Sequence, residues 1–68
     1  MIDKNLLKFF MGKHGDTQTD LARAINMPQS ALSLRMNGHV DFRKNEMEAI
    51  RKRYDLTAEQ MQEIFFAT

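Results

Sequence analysis

The sequence predicts an all-α protein, a compact bundle of about five short helices. Apolar residues recur at the i, i+3, i+4 and i+7 spacing of amphipathic helices, whereas the alternation typical of strands is weak throughout. Helix-breaking residues interrupt the chain at short intervals, at Gly12, Gly15, Pro28 and Gly38. Helices this short are held by tertiary packing more than by propensity, so we expect them to share one core.

The composition fits a single domain over residues 1–68. Of these 68 residues, 43% are hydrophobic, which suffices for one small core and excludes a two-domain enzyme. The chain has no Cys, so neither disulfides nor thiolate metal sites can hold the fold together. It has neither an apolar run that could span a bilayer nor the pattern of a signal peptide, and we expect no membrane partner and a cytoplasmic location.

Two helices are predicted in the first part of the chain. The first should end near Gly15, and the second should begin at Thr17 and continue to about residue 25. Thr17 is followed three residues later by Asp20, which resembles a capping box with Asp in place of the usual Glu or Gln. The inner faces are apolar: Leu7, Phe10 and Met11 in the first helix, and Leu21, Ala22 and Ile25 in the second.

Three further helices follow. Asn26 tolerates the left-handed conformation that ends helices, and Pro28 suits a first helical turn, so the third helix should start near residue 28 or 29 and stop at Asn37-Gly38. After a loop, a fourth helix is predicted from the spacing of Met47, Ile50 and Tyr54, and a capping box, Thr57 to Gln60, opens a fifth.

The second and third helices meet the requirements of a helix-turn-helix, two short helices joined by a tight turn. Ala22 is small enough for a close crossing of the two helices. Apolar residues can lock the pair together: Leu21, Ile25, Met27 and Leu32. Gln29, Ser30 and Ser33 then remain on the outer face of the third helix, as neutral hydrogen-bonding groups suited to the edges of bases.

The charges are unevenly distributed along the chain, although the net charge is only +1. Residues 1–53 carry all ten basic residues and six acidic ones, whereas residues 54–68 carry three acidic residues and no basic one. The segment between Asp20 and Asp41 has no acidic residue and could lie against a polyanion without repulsion. The basic run Arg51–Arg53 is expected to be a solvated helix end that the helix dipole favours.

A family resemblance lies in residues 17–38, which read TQTDLARAINMPQSALSLRMNG. This run resembles the helix-turn-helix of the Cro and repressor family of phage and bacterial transcription regulators. Three pairs stand at the spacing that this family shows: Thr17-Gln18, Leu21-Ala22 and Asn37-Gly38. The resemblance implies a lambda repressor-like DNA-binding fold and a sequence-specific regulator, a repressor or Cro-like switch, that places the third helix in the major groove of an operator.

The resemblance also implies which residues contact DNA. Gln18 would contact a phosphate and brace a side chain of the third helix, and Asn37 would reach another phosphate. Arg43 and Lys44, in the loop after Asn-Gly, would lie beside the DNA backbone. The full predicted set is Thr17, Gln18, Gln29, Ser30, Ser33, Leu34, Asn37, Arg43 and Lys44. Gln side chains can bind adenine bidentately, whereas Leu34 offers only an apolar contact to a thymine methyl.

The chain departs from the family pattern at buried positions. Many members pair an Arg of the first helix with a Glu just before Asn-Gly, and the matching positions here are Met11 and Met36. An apolar contact in place of a buried ion pair is often neutral or stabilising. Arg35 stands where an apolar residue is common, and Pro28 where a capping Ser or Thr is frequent.

No constellation for catalysis, metal binding or cofactor binding is evident. No Ser has a positioned base in view, and no Gly-rich loop could cradle a nucleotide. The two His residues, His14 and His39, are far apart in sequence, and each has only one acidic residue close by. We therefore expect a protein that is not an enzyme and has no cofactor and no metal.

The expected partner is a double-stranded DNA operator, bound by a homodimer in the cytoplasm of a bacterial host. The dimer would use the C-terminal helix, with Ile64, Phe65 and Phe66, and would read half-sites about 34 to 36 Å apart. An alternative is a protein-interaction module, or antirepressor, that sequesters a partner regulator, because the net charge is low and the aromatic residues exceed what one small core needs. An antitoxin is a third possibility, which the sequence does not separate from repression.

Overall fold

The computed structural model describes residues 1–67, and these residues form five α-helices and no strand. The helices are α1 (Lys4–His14), α2 (Gln18–Ala24), α3 (Gln29–Met36), α4 (Lys44–Tyr54) and α5 (Ala58–Phe65). Over this range no helix is both long enough and apolar enough to cross a membrane. The described chain measures 26 × 25 × 21 Å along its principal axes. Five helices in a body of these dimensions confirm the predicted all-α bundle.

Local capping sets the helix boundaries. Both predicted capping boxes are present: the backbone N–H of Asp20 donates to Oγ1 of Thr17 at 3.2 Å, and that of Gln60 donates to Oγ1 of Thr57 at 3.1 Å. Gly15 ends α1 with a φ of 81°, a left-handed conformation that glycine adopts without a steric penalty. These boundaries agree with the sequence analysis because each depends on residues a few positions apart.

The turn between α2 and α3 also has the predicted geometry. Asn26 adopts a φ of 58°, the left-handed conformation that ends the preceding helix. Pro28, with a φ of −60°, immediately precedes α3. The backbone N–H of Met27 donates to the carbonyl of Ala22 at 2.9 Å, which ties the turn to α2. The turn therefore folds α3 back onto α2, and the two helices pack against each other.

The core is one apolar cluster with residues from all five helices. Its buried members are Leu7, Met11, Leu21, Ala22, Leu32, Met36, Ile50, Leu56, Ile64 and Phe65. Met11 and Met36 are both in it. Ile64 and Phe65 are only 0% and 7% exposed, because both side chains of α5 pack against their own chain. The prediction that these two residues belong to the dimer surface is therefore wrong. Phe66 remains 57% exposed.

An ion pair joins the α1–α2 junction to the end of α4. Asp16 accepts hydrogen bonds from Nε and Nη2 of Arg53 at 2.6 and 2.7 Å, and from the hydroxyl of Tyr54 at 2.7 Å. The hydrogen bond from Arg53 lowers the pKa of Asp16 from its usual 3.8 to about 2. Burial raises the pKa of Tyr54, and the bond to Asp16 raises it further. Arg53 is therefore a structural residue and does not belong to the solvated helix end that the sequence predicted.

A second ion pair joins α3 to α4. Oε1 of Glu46 accepts from Nε of Arg35 at 2.8 Å, and the two side chains are only 11% and 12% exposed. The same oxygen accepts from the backbone N–H of Arg43 at 2.8 Å, and Nη1 of Arg35 donates to the carbonyl of Ala31 at 3.2 Å. Because Glu46 caps the start of α4, Arg43 and Lys44 lie at a helix start and not in the predicted loop.

Candidate nucleic-acid interface

The two faces of α3 differ in burial and polarity. On the inner face, Leu32 and Met36 are only 0% and 2% exposed. The outward set is exposed or half-buried: Gln29, Ser30, Ser33, Leu34 and Asn37. All five are neutral, so this face offers hydrogen-bond donors and acceptors, one apolar side chain and no acidic group. An α-helix with its side chains is about 10 to 12 Å in diameter, close to the width of the major groove of B-DNA.

Gln29, at the start of α3, is held by a side chain of α2. The hydroxyl of Thr19 donates to Oε1 of Gln29 at 2.9 Å. The bracing partner is therefore Thr19 and not Gln18, which lies half-buried one position earlier. The bond leaves the amide N–H groups and one lone pair of Oε1 for other partners. No sequence pattern indicates Thr19, because this contact depends on how α2 crosses α3.

At the N-terminus of α2, Thr17 and Asp20 bind each other. The backbone N–H and the hydroxyl of Thr17 both donate to Oδ2 of Asp20 at 2.9 Å. These bonds, the backbone one foremost, lower the pKa of Asp20 and keep its carboxylate charged. Thr17 therefore has no donor left for a phosphate, and a negative charge lies beside it. The predicted DNA contact of Thr17 finds no support in this geometry, whereas the phosphate contact of Gln18 stays a prediction.

Asn37, which directly follows α3, is hydrogen-bonded through both atoms of its amide. Nδ2 donates to the carbonyl of Ser33 at 3.0 Å, and its distance to Oγ of the same residue is 3.4 Å. Oδ1 accepts from Nζ of Lys4 at 2.9 Å. The sequence analysis did not select Lys4, because it precedes Asn37 by 33 positions and no local spacing indicates such a contact.

Arg43 and Lys44 are exposed at the start of α4. Neither forms an ion pair with any other residue of the described range. Glu46 binds the backbone of Arg43 and the side chain of Arg35. The start of α4, with Arg43 and Lys44, is therefore fixed in position relative to α3. Asp41 is also exposed and reduces the positive charge of this edge.

An open groove of about 730 Å³ lies between the end of α3, the start of α4 and the chain termini. Of its apolar lining residues, Met1, Val40 and Phe66 are 91%, 41% and 57% exposed. Exposed apolar side chains collected along one groove are typical of a protein interface. Nowhere in residues 1–67 do three His, Cys, Asp or Glu side chains come together as metal ligands would.

Comparisons of the chain with protein-family models, curated protein sequences and solved structures found no match. The functional interpretation therefore depends on the outer face of α3, its hydrogen bonds and the groove beside it.

Proposed function

We propose that this protein is a sequence-specific DNA-binding transcriptional regulator, a phage-type repressor or Cro-like switch, that inserts α3 into the major groove of an operator. The observation that carries the proposal is the outer face of α3, which is exposed and neutral and begins with a Gln29 held by Thr19. A side chain with a fixed orientation can discriminate bases by hydrogen bonding at lower entropic cost. Arg43 and Lys44, at the start of α4, contact the phosphates that flank the groove.

We further propose that the protein binds its operator as a homodimer. A dimeric regulator places its two recognition helices about 34 to 36 Å apart. Two neighbouring copies of a domain that measures 26 × 25 × 21 Å can meet this spacing. Because Ile64 and Phe65 are buried, the two copies contact each other through the groove instead, where Phe66 and its apolar neighbours are exposed.

The test is selection of bound fragments from random duplex DNA at two salt concentrations, because affinity without salt dependence is uninterpretable. We expect recovery of a short inverted repeat. Gln29→Ala should then weaken binding to that repeat by about 1 to 3 kcal/mol and leave binding to unrelated duplexes nearly unchanged. Gln62→Ala, in the exposed part of α5, is the matched control and should bind like the parent protein. Equal losses on both duplexes would remove Gln29 from base readout.

A second candidate function, favoured by the exposed apolar groove, is an interaction module that sequesters a partner protein, as an antirepressor or an antitoxin does. Its signature is micromolar or tighter association with a second protein, together with no salt-sensitive binding to DNA. Selection that recovers nothing above background at either salt concentration would favour this candidate over the regulator.

A further inference from the structure

Lys4 brings the start of α1 to the end of α3. Its Nζ donates to Oδ1 of Asn37 at 2.9 Å, and both residues line the groove. Asn37 in turn is bound to Ser33, which belongs to the outer face of α3. A positive charge is therefore held next to the outward set of α3, by a residue from a different helix.

The direction of these hydrogen bonds determines what each group offers to a ligand. A lysine ammonium has only donors, so it must face Oδ1 of Asn37, which leaves Nδ2 to donate to Ser33. Phosphate oxygens accept hydrogen bonds, so Oδ1 cannot bind them, and Nδ2 already donates to the carbonyl and Oγ of Ser33. Lys4, which has two further N–H donors and a full charge, is the stronger phosphate donor at this place.

The charge of Lys4 is not paired with a carboxylate of residues 1–67. No carboxylate of the described residues lies within ion-pair distance of its Nζ. The preceding residue, Asp3, caps α1 by accepting from the backbone N–H of Leu6 at 3.0 Å. Lys4 as a residue is half-buried, and its ammonium has an amide oxygen as hydrogen-bond partner while keeping its other N–H donors for an anion.

We propose that Lys4 and Asn37 together form a binding site for a phosphate of the DNA backbone, with Lys4 supplying the charge. This proposal rests on the proposed function and extends the DNA contact to α1, which the sequence analysis left out of the interface. In it, Asn37 holds the ammonium in place, and the bound phosphate sets the register of α3 along the groove.

The experiment measures the binding of a short mixed-sequence duplex at several salt concentrations for the parent protein, Lys4→Gln, Lys4→Arg and Lys13→Gln. Lys13 is the matched control, because it lies at the other end of α1, where its Nζ is 5.6 Å from the ring centre of Phe9. Log affinity should fall less steeply with log salt for Lys4→Gln than for Lys13→Gln, and the two slopes should differ by about one. Between about 50 and 200 mM salt this change corresponds to a three- to fourfold difference. Lys4→Arg should keep the parent slope.

The outcomes separate the two proposals. Equal slopes for Lys4→Gln and Lys13→Gln, with salt-sensitive binding by the parent protein, would overturn the phosphate site and leave the DNA-binding function standing. No salt-sensitive binding by the parent protein would remove both. Thermal unfolding of each variant checks that a changed slope does not come from a lost fold. The Asn37 side-chain amide gives a second readout, because at saturation with the duplex its NMR signal should shift less in Lys4→Gln than in Lys4→Arg.

Discussion

Hydrogen bonding decides what the individual polar side chains of this protein can do. No buried side-chain N or O atom in residues 1–67 lacks a hydrogen-bond partner. Asp16 is nearly buried and bound to Arg53 and Tyr54, so it serves the fold. Gln29 is exposed and bound through one atom only, so it keeps groups for a ligand. Burial and the number of partners thus separate structural polar residues from candidate functional ones.

Replacement of Asp16 tests the structural role of its ion pair. Folding lowers the pKa of Asp16 from 3.8 to about 2, which corresponds to about 2 kcal/mol of stability. Because the pKa is lowered, this contribution is complete above the unfolded-chain value of about 4 and disappears as the pH falls through about 2. Urea denaturation between about pH 5 and pH 2 should therefore show a smaller loss of stability in Asp16→Asn than in the parent protein.

The matched control for this experiment is Asp41→Asn, which replaces an exposed carboxylate. It should keep the pH dependence of the parent protein. If Asp16→Asn lost stability with falling pH as steeply as the control, the Asp16–Arg53 pair would contribute nothing measurable.

At the scale of elements, α3 is held at both ends and along its inner face. Thr19 of α2 binds its first residue, and Lys4 of α1 binds Asn37, which directly follows it. Between these points, Arg35 is bound to Glu46 of α4. Three helices therefore determine the position of a helix only eight residues long, which by itself would be unstable in water.

Removal of Glu46 should loosen α3 and α4 together. Glu46→Ala leaves Arg35 nearly buried without a counter-ion, which costs about 3 kcal/mol, and it also uncaps Arg43. A loss of about 3 kcal/mol should lower the melting temperature by roughly 12 to 24 °C in a domain of this size. Circular dichroism during heating measures the change.

The double variant Arg35→Met, Glu46→Met serves as the control for that experiment, because it removes both charges and fills the site with apolar side chains. It should melt well above Glu46→Ala. If the double variant were less stable than the single one, the cost would come from the lost cap of α4 and not from the unpaired Arg35.

At the scale of the whole molecule, the aromatic residues exceed what the core buries. Phe9 on α1 and Phe66 just after α5 are both 57% exposed, although Phe65 and Ile64 are buried. Of these two exposed residues, Phe66 lines the apolar groove, together with the exposed Met1 and Val40, and Phe9 does not. Phe9 instead packs its ring edge-on against Phe10. The two residues thus have equal exposure in different surroundings.

This difference gives a matched test of the proposed homodimer. Phe66→Ser should raise the dissociation constant of the dimer by about tenfold or more, because an isologous interface contains each residue twice. Phe9→Ser should leave it unchanged. Sedimentation of the two variants and the parent protein over a range of concentrations measures the constant. A parent protein that stays monomeric at all concentrations, or equal effects of the two variants, would contradict the dimer through this groove.

The sequence by itself determined the helices and their ends. Gly15, Asn26 and the two capping boxes, Thr17 to Asp20 and Thr57 to Gln60, predict boundaries that the structure confirms. These signals act between residues at most a few positions apart, where backbone sterics and local hydrogen bonds dominate. The periodic apolar residues likewise identified the inner face of each helix, including Leu32 on α3, because a helix has a fixed repeat.

Only the tertiary structure decided which polar groups meet and which apolar residues stay exposed. Asp16 and Arg53 lie 37 positions apart, and nothing local indicates that they pair. The same holds for Lys4 beside Asn37, and for Phe66, which remains exposed although the neighbouring Phe65 is buried. Such contacts depend on how the helices cross, and the crossing is set by the packing of the whole core, which no spacing along one helix encodes.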